Sequence, residues 1–281
     1  MQLQAFHHDP RSEEQIRAHY EVERELSDRL RNASQEERKE LYTACYEELY
    51  QRVPYHRKLD QKATADQQTE LIERQMRWLR PSLKPDSTFL EVGAGDCIVT
   101  FAAAELVKKA IAVEVSYTMA GAENTPDNFE LIISDGISIP VPDNSVDIVY
   151  SQQLMEHLHP EDAYDQLKNI YKALAPGGKY FCVTPNRTTG PHDISRHYDQ
   201  EATCFHLKEY TIQELAKLFK EVGFRKVALY VATGANPKMM PVWPAAVLEN
   251  ALAPLPRDAK IRIAKPIRPR VLFSFRLLGI K

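Results

Sequence analysis

The four cysteines, Cys45, Cys97, Cys182 and Cys204, are scattered without C-x-x-C spacing, which reads as reduced thiols in a cytoplasmic protein. No window of the chain approaches the apolar length of a membrane span, and Met1 to Pro10 lacks the charged-then-apolar order of a secretion signal. A net charge of −3 and a pI near 6.3 speak against phosphate-backbone binding, so no nucleic-acid partner is expected. There is no internal repeat and no low-complexity tract. What is present is core material: hydrophobic residues make up 43% of 281 residues, enough for one α/β domain with additions.

The richest segment is Thr88-Phe89-Leu90-Glu91-Val92-Gly93-Ala94-Gly95-Asp96-Cys97. An apolar run reaches Glu91 and breaks at two glycines, after which Ile98 to Lys109 has helical apolar spacing. A strand that stops at such a turn lets a ligand approach bare backbone, and Glu91 at its end can accept hydrogen bonds or face a cation. Dinucleotide sites use G-x-G-x-x-G with a pyrophosphate on the helix N-terminus. Here the third glycine position is Ile98, and Asp96 would repel a pyrophosphate. An acidic turn suits a ligand bearing positive charge, such as a sulfonium and an α-ammonium group. A nicotinamide-dependent oxidoreductase and a non-catalytic nucleoside-binding protein remain the alternatives.

Further strands follow at regular spacing. Ala110 to Val113 ends at Glu114, Leu131 to Ile133 leads into Ser134-Asp135-Gly136, and Val146 to Tyr150 leads into Ser151 to Leu158. A helix then stops at Leu174-Ala175-Pro176-Gly177-Gly178, before a fifth strand from Lys179 to Thr184. Alternating strands and helices predict a doubly wound, mostly parallel Rossmann-like sheet of seven-stranded type, helices on both faces, with ligands at the strands' C-terminal ends.

Taken in order, Glu91 to Asp96, Glu114, Asp135-Gly136, Glu156-His157-Leu158 and Leu174 to Gly178 resemble the class I S-adenosylmethionine-dependent methyltransferases, small-molecule "methyltransferase 11" type. The resemblance covers Pro81 to Val231. It implies S-adenosyl-L-methionine as cofactor, S-adenosyl-L-homocysteine as product and a small-molecule acceptor. By position it implies that Gly93, Ala94 and Gly95 approach the methionine part. Glu114, with Val115 beside it, would hold the ribose hydroxyls. Asp135 would take the adenine amino group, with Gly136 and Ile137 flanking the ring, and Gln152 and Gln153 would lie by the sulfonium. Ser151 to Leu154 lacks the Asn/Asp-Pro-Pro-aromatic box of DNA amino-methyltransferases, and the paired glutamates of protein-arginine enzymes are missing.

Three regions flank this pattern. Residues 1–80 read as a charge-rich helical cap over the methyltransferase core at 81–235. Ile16, Tyr20, Leu26 and Leu30 recur at helical spacing, and Ser34 leads Glu37 as in a capping box. Tyr20 is the residue of this cap expected at the ligand. A further helix is expected from Thr64 to Leu79, with Leu71, Met76 and Leu79 inward. Residues 186–210 form a long loop beyond the fifth strand, read as an acceptor-side lid or a solvated connection. Residues 236–281 form a Pro-rich extension mixing apolar and basic residues. Packing or a dimer contact is expected of it, ahead of a membrane surface. The antiparallel strand that normally ends this fold has only Val271 to Phe275 as a candidate, so a short or missing strand is expected.

In-line attack on a sulfonium methyl needs no protein nucleophile, so placement dominates. An oxygen acceptor also loses a proton, for which histidine is the usual base. His157, His197 and His206 are the candidates. O-methylation of a sugar, glycolipid or natural-product intermediate is the favoured reading. His192, His197 and His206 with Asp193 lack the spacing of a known ligand set, so no metal is expected.

Overall fold

A computed structural model describes residues 9–56, 65–116, 125–232, 237–267 and 271–281. Thr64, the expected start of the third helix, and Arg268 and Arg270 of the basic extension lie outside these residues. The centre is an eight-stranded sheet in the order β3-β2-β1-β4-β5-β8-β6-β7. Its strands are β1 (Thr88–Val92), β2 (Lys109–Glu114), β3 (Phe129–Ile133), β4 (Val146–Gln152), β5 (Leu174–Pro185), β6 (Lys226–Ala232), β7 (Pro237–Met240) and β8 (Ser274–Ile280). The first five are parallel; β8 lies antiparallel between β5 and β6, and β7 is an antiparallel edge.

Both faces are apolar because both carry helices. On one face Leu90, Val149 and Leu277 join the main core with α5 (Pro160–Ala173) and α6 (Ile212–Val222). On the other, Phe89, Ile148 and Leu278 meet Met76 and Leu79 of α3 (Ala65–Leu79) and Val99 and Ala103 of α4 (Ile98–Ala104). Leu71, expected inward with Met76 and Leu79, is 41% exposed. Helix α4 is shorter than its apolar spacing suggests. The chain must already be extended at Lys109 to pair with Thr88, so residues 105–108 become the turn between them.

The closing strand is complete, which corrects the expectation of a short or missing one. β8 keeps a seven-residue register with β5, from Lys179↔Ile280 to Pro185↔Ser274. Alternation drives it: Phe275 and Leu277 enter one core, and Leu278 the other. The stretch after residue 236 thus returns to the sheet. On the way it forms α7 (Trp243–Leu252) and α8 (Arg257–Ala264). Glu249 of α7 is buried and accepts from Asn186 Nδ2 (2.8 Å) and the Ile212 amide (3.0 Å), tying this excursion to the end of β5 and the start of α6.

The N-terminal cap is a hairpin of α1 (Glu13–Asn32) and α2 (Gln35–Arg52). Both begin with full capping boxes: Ser34 with Glu37, as the sequence indicates, and Ser12 with Gln15. One buried node fastens the hairpin to the core. Arg38 Nε donates to Asp162 Oδ2 (2.6 Å) and Nη2 to Oδ1 (3.0 Å), while Nη1 reaches the Ala33 carbonyl (2.6 Å). Tyr42 Oη donates to the same carboxylate (2.6 Å) and accepts the His159 amide (2.9 Å).

Removing one partner of a fully desolvated, bidentate pair strands the other charge, at a cost of about 3–5 kcal/mol. Arg38→Ala should therefore lower the urea midpoint of unfolding by that equivalent. An unchanged midpoint would mean the hairpin is held by apolar packing alone.

Candidate active site

The turn after β1 is built by backbone geometry. Gly93 has φ +69° and Gly95 φ +54°, and the Gly93 amide donates to the Val113 carbonyl (2.9 Å). Glu114, at the end of β2, accepts the amides of Gly95 (2.8 Å) and Val115 (2.7 Å). A side chain at Gly93 would press on Leu154, with a Cβ 3.0 Å from Cδ1, whereas at Gly95 a Cβ would meet nothing within 4 Å. The turn thus offers bare backbone, with a fixed carboxylate beside it, to an open volume.

That volume is a cavity of about 440 Å³, within the range of small-ligand sites. One half is walled by Gly93, Gly95, Glu114, Val115, Gly136 and Gln153. The other half is walled by the cap and the long loop. His19 and Glu23 come from α1, Tyr46 and Tyr50 from α2, and Asp193 and His206 from the loop. Glu156 and His157, just beyond β4, stand at the junction of these elements and also line the cavity. Aromatic contacts run through this half: Tyr46 lies 4.9 Å from Phe205, and His157 lies 5.0 Å from His206, between ring centroids.

The expected site residues divide. Gly93, Gly95, Glu114, Val115, Gly136, Gln152, Gln153, His157 and His206 all line the cavity. Tyr20 does not: its hydroxyl donates to Asp199 Oδ2 (2.9 Å) and its ring packs on Tyr198, and the helix turns His19 and Glu23 inward instead. Ala94 and Ile137 are buried but are not lining residues. Asp135 folds back on its own turn, accepting from the Ile137 amide (2.9 Å), the Ser138 amide (2.6 Å) and Ser138 Oγ (2.9 Å). Burial alone would raise its pKa, but these donors outweigh burial and the net shift is downward. The carboxylate is therefore committed to the turn rather than directed at a ligand. His197 lies outside the lining, beside Arg196, whose Nε donates to it (3.2 Å).

Residues the sequence reading left unassigned carry much of the inner half. Glu156 is fully buried; Oε2 accepts from Thr184 Oγ1 (2.9 Å), and Oε1 has no partner among the described residues. Burial pushes its pKa up to about 7. His206 Nδ1 lies 2.6 Å from Glu209 Oε1. Burial depresses the His206 pKa, but Glu209, Glu156 and Asp193 outweigh it and the net shift is upward. His157 Nδ1 donates to the Phe205 carbonyl (3.0 Å). On α1, His19 is held between Arg11 Nη1 (2.7 Å) and Glu23 Oε1 (2.6 Å). The signal for His19 and Glu23 was their place on the inward stripe with Ile16 and Leu26, where a polar side chain is out of keeping with plain packing.

Residues 90–182 match the family described as "Methyltransferase domain". A Mycolicibacterium smegmatis protein named "Probable S-adenosylmethionine-dependent methyltransferase" is 28% identical over 136 residues, 48% of this chain and 51% of the relative. A Mycobacterium tuberculosis protein of the same description is 29% identical over 141 residues, 50% of this chain and 49% of the relative. The chain thus spans about half the length of the curated relatives it matches. A crystal structure of an S-adenosylmethionine-dependent methyltransferase from Archaeoglobus fulgidus superposes with a TM-score of 0.50 at 19% identity. It covers 75% of this chain and 94% of its own, and shows the shared fold.

Glu91 lies behind the glycine turn, 4% exposed and outside the lining, its carboxylate accepting from Thr100 Oγ1 (2.5 Å). Burial, with Asp96 adding to it, raises its pKa from 4.5 to about 8 against the lowering by Thr100. The folded protein then keeps a proton that the unfolded chain releases, so stability falls as pH climbs through this interval. In cofactor-free protein, Glu91→Gln should gain stability relative to the unsubstituted chain between about pH 5 and about pH 8. A difference in urea midpoint that does not change with pH would refute this.

Proposed function

We propose that the chain is a class I S-adenosylmethionine-dependent methyltransferase, a reading supported by its match to the methyltransferase domain and by its relatives, and that it methylates an oxygen of a small-molecule acceptor bound in the inner half of the cavity. When bound, S-adenosylmethionine supplies an electrophilic methyl carbon on a sulfonium. The observation that carries the reading is one continuous cavity, which joins the glycine turn and Glu114 to the Glu156–His157–His206 cluster. The cofactor fits the outer half on two counts: Gly95 leaves open room where a side chain would stand, and Glu114 is fixed at the end of β2.

In this reading Gly93 and Gly95 let the backbone come close to the methionine part, and Glu114 accepts from the ribose hydroxyls. Gln152 and Gln153 stand where the two halves of the cavity meet. Their task is placement, which accounts for much of the barrier reduction in an in-line displacement. The inner wall of carboxylates and imidazoles, with the Tyr46 and Phe205 rings, suits a hydroxyl-bearing acceptor such as a sugar or natural-product intermediate. The acceptor loses its proton at the cluster, where His157 and His206 are the candidate groups.

Three outcomes test this reading. Glu114→Ala should weaken S-adenosylhomocysteine binding by about 1.5–3 kcal/mol, as for hydrogen bonds to a charged group; equal affinity by calorimetry removes Glu114 from the site. Gly93→Val should abolish binding while circular dichroism stays native, because it adds bulk at a positive φ against Leu154. His157→Ala or His206→Ala should slow turnover of an oxygen acceptor on the order of a hundredfold, with donor affinity nearly constant. Full activity in both would leave placement as the whole mechanism.

A further inference from the structure

Glu156, His157 and His206 each present a ligand-capable atom, and these atoms lie within 4.8 Å of one another on the cavity wall. They come from two elements, the turn beyond β4 and the far end of the long loop. We propose that the three side chains form a binding site for a divalent transition-metal ion. This proposal rests on the methyl-transfer reading for its use, but not for its chemistry.

Three independent features point to it. The first is the orphan oxygen. Glu156 is fully buried with Oε1 unpartnered among the described residues, and a buried carboxylate oxygen is costly to leave without a donor or a cation. The second is the outer arrangement. His157 is held through Nδ1 by the Phe205 carbonyl, and His206 through Nδ1 by the Glu209 carboxylate. Metal-binding imidazoles are typically held in this way, because the bond fixes the tautomer whose Nε2 lone pair faces the ion. Thr184 does the same for the third ligand, holding Glu156 Oε2. The third is charge. Buried Glu23 and Glu156 and half-buried Asp193 line this end of the cavity, and buried Glu209 lies behind it, accepting the amide of the lining residue His192. Two guanidinium groups also line the cavity, Arg11, which is paired with Asp9 (2.8 Å), and Arg196, so the carboxylates outnumber the arginines there. A divalent cation would balance such a chamber.

Two imidazoles and one carboxylate suit zinc, manganese, iron(II) or cobalt(II) rather than calcium or magnesium. Three protein ligands on one side leave positions open toward the cavity. An ion there would polarise an acceptor hydroxyl and let its proton pass to water at neutral pH, the two imidazoles then serving as ligands in place of bases, without any change in the metal's oxidation state. The site would thus fix where the acceptor oxygen sits as well as ionise it.

The test uses the whole chain, stripped with a chelator, dialysed and titrated with cobalt(II), whose visible absorption reports nitrogen and oxygen ligation. One equivalent should bind with a saturable absorption band. Glu156→Gln and His206→Ala should each weaken binding at least tenfold. Glu209→Gln, which alters the imidazole's outer partner but no ligand, should weaken it about ten- to a hundredfold. S-adenosylhomocysteine affinity, measured on the same variants, shows that they remain folded. No band, or equal cobalt affinity in Glu156→Gln and His206→Ala, would overturn the site. Turnover that continues undiminished in excess chelator would overturn the metal's role while leaving methyl transfer standing. Cobalt bound by a protein that fails to bind S-adenosylhomocysteine would instead sink the methyl-transfer reading and keep the site.

Discussion

The Arg38–Asp162 pair is the constraint on which the cavity depends. A parallel sheet alone exposes the C-terminal ends of its strands, and a ligand there would lie open to water. The guanidinium, locked on both carboxylate oxygens and on the Ala33 carbonyl, pins α2 to the start of α5. Tyr42 extends the node to the His159 backbone. With α2 fixed, Tyr46 and Tyr50 must point over the sheet, and α1 follows through its contact with α2. A buried ion pair gives little net stability against an apolar substitute. Its value here is positional, since a bidentate fork tolerates only one docking of the hairpin.

The central fold was legible because its signals are local. Apolar runs, the glycine turn and the Pro-Gly stop mark strands and helices without knowledge of what they pack on. Helix α6 begins at Ile212, and Thr211 with Glu214 forms the capping box that opens it. The closing strand was harder. Its partners, β5 and β6, lie about a hundred and about fifty residues upstream, and an antiparallel strand near a chain's end reads much like any apolar tail until its register is known. Edge strand β7 has a mostly exposed, four-residue sequence, too short to alternate convincingly.

The site divided along the same line. The place of the glycines and Glu114 on the cavity wall was legible because it follows from position on the first two strands. Asp135 shows where position misleads: the same residue type at the same place can spend its oxygens on its own turn. Tyr20 and His19 show the sensitivity of helical phase. Neighbouring residues differ by about 100° around the axis, so an aromatic at the right spacing can pack outside while the histidine beside it faces the cavity. Glu156 was quoted as part of a motif, yet its orphan oxygen is a tertiary fact that no spacing encodes.

The inner half of the cavity also explains why the cap breaks ordinary patterning. Helix α1 buries His19, Glu23 and Ser27 on the stripe that carries Ile16, Leu26 and Leu30. A helix selected for stability alone would place apolar side chains at these positions, since each buried polar group must recover its lost hydration. These groups do recover it, within the site: His19 with Glu23 and Arg11, and Ser27 with the Thr203 carbonyl (2.7 Å) across to the loop. The loop answers in kind, with His206 on Glu209 and the His192 amide on the same carboxylate (2.7 Å). Cap and loop are therefore joined by polar contacts that surround the cavity as well as by the apolar cluster of Ile16, Ile194 and Cys204. Such contacts reward one specific arrangement, which holds charged groups in fixed places without filling the space between them. That is the property a site needs if its catalysis consists mainly of placing one atom against another.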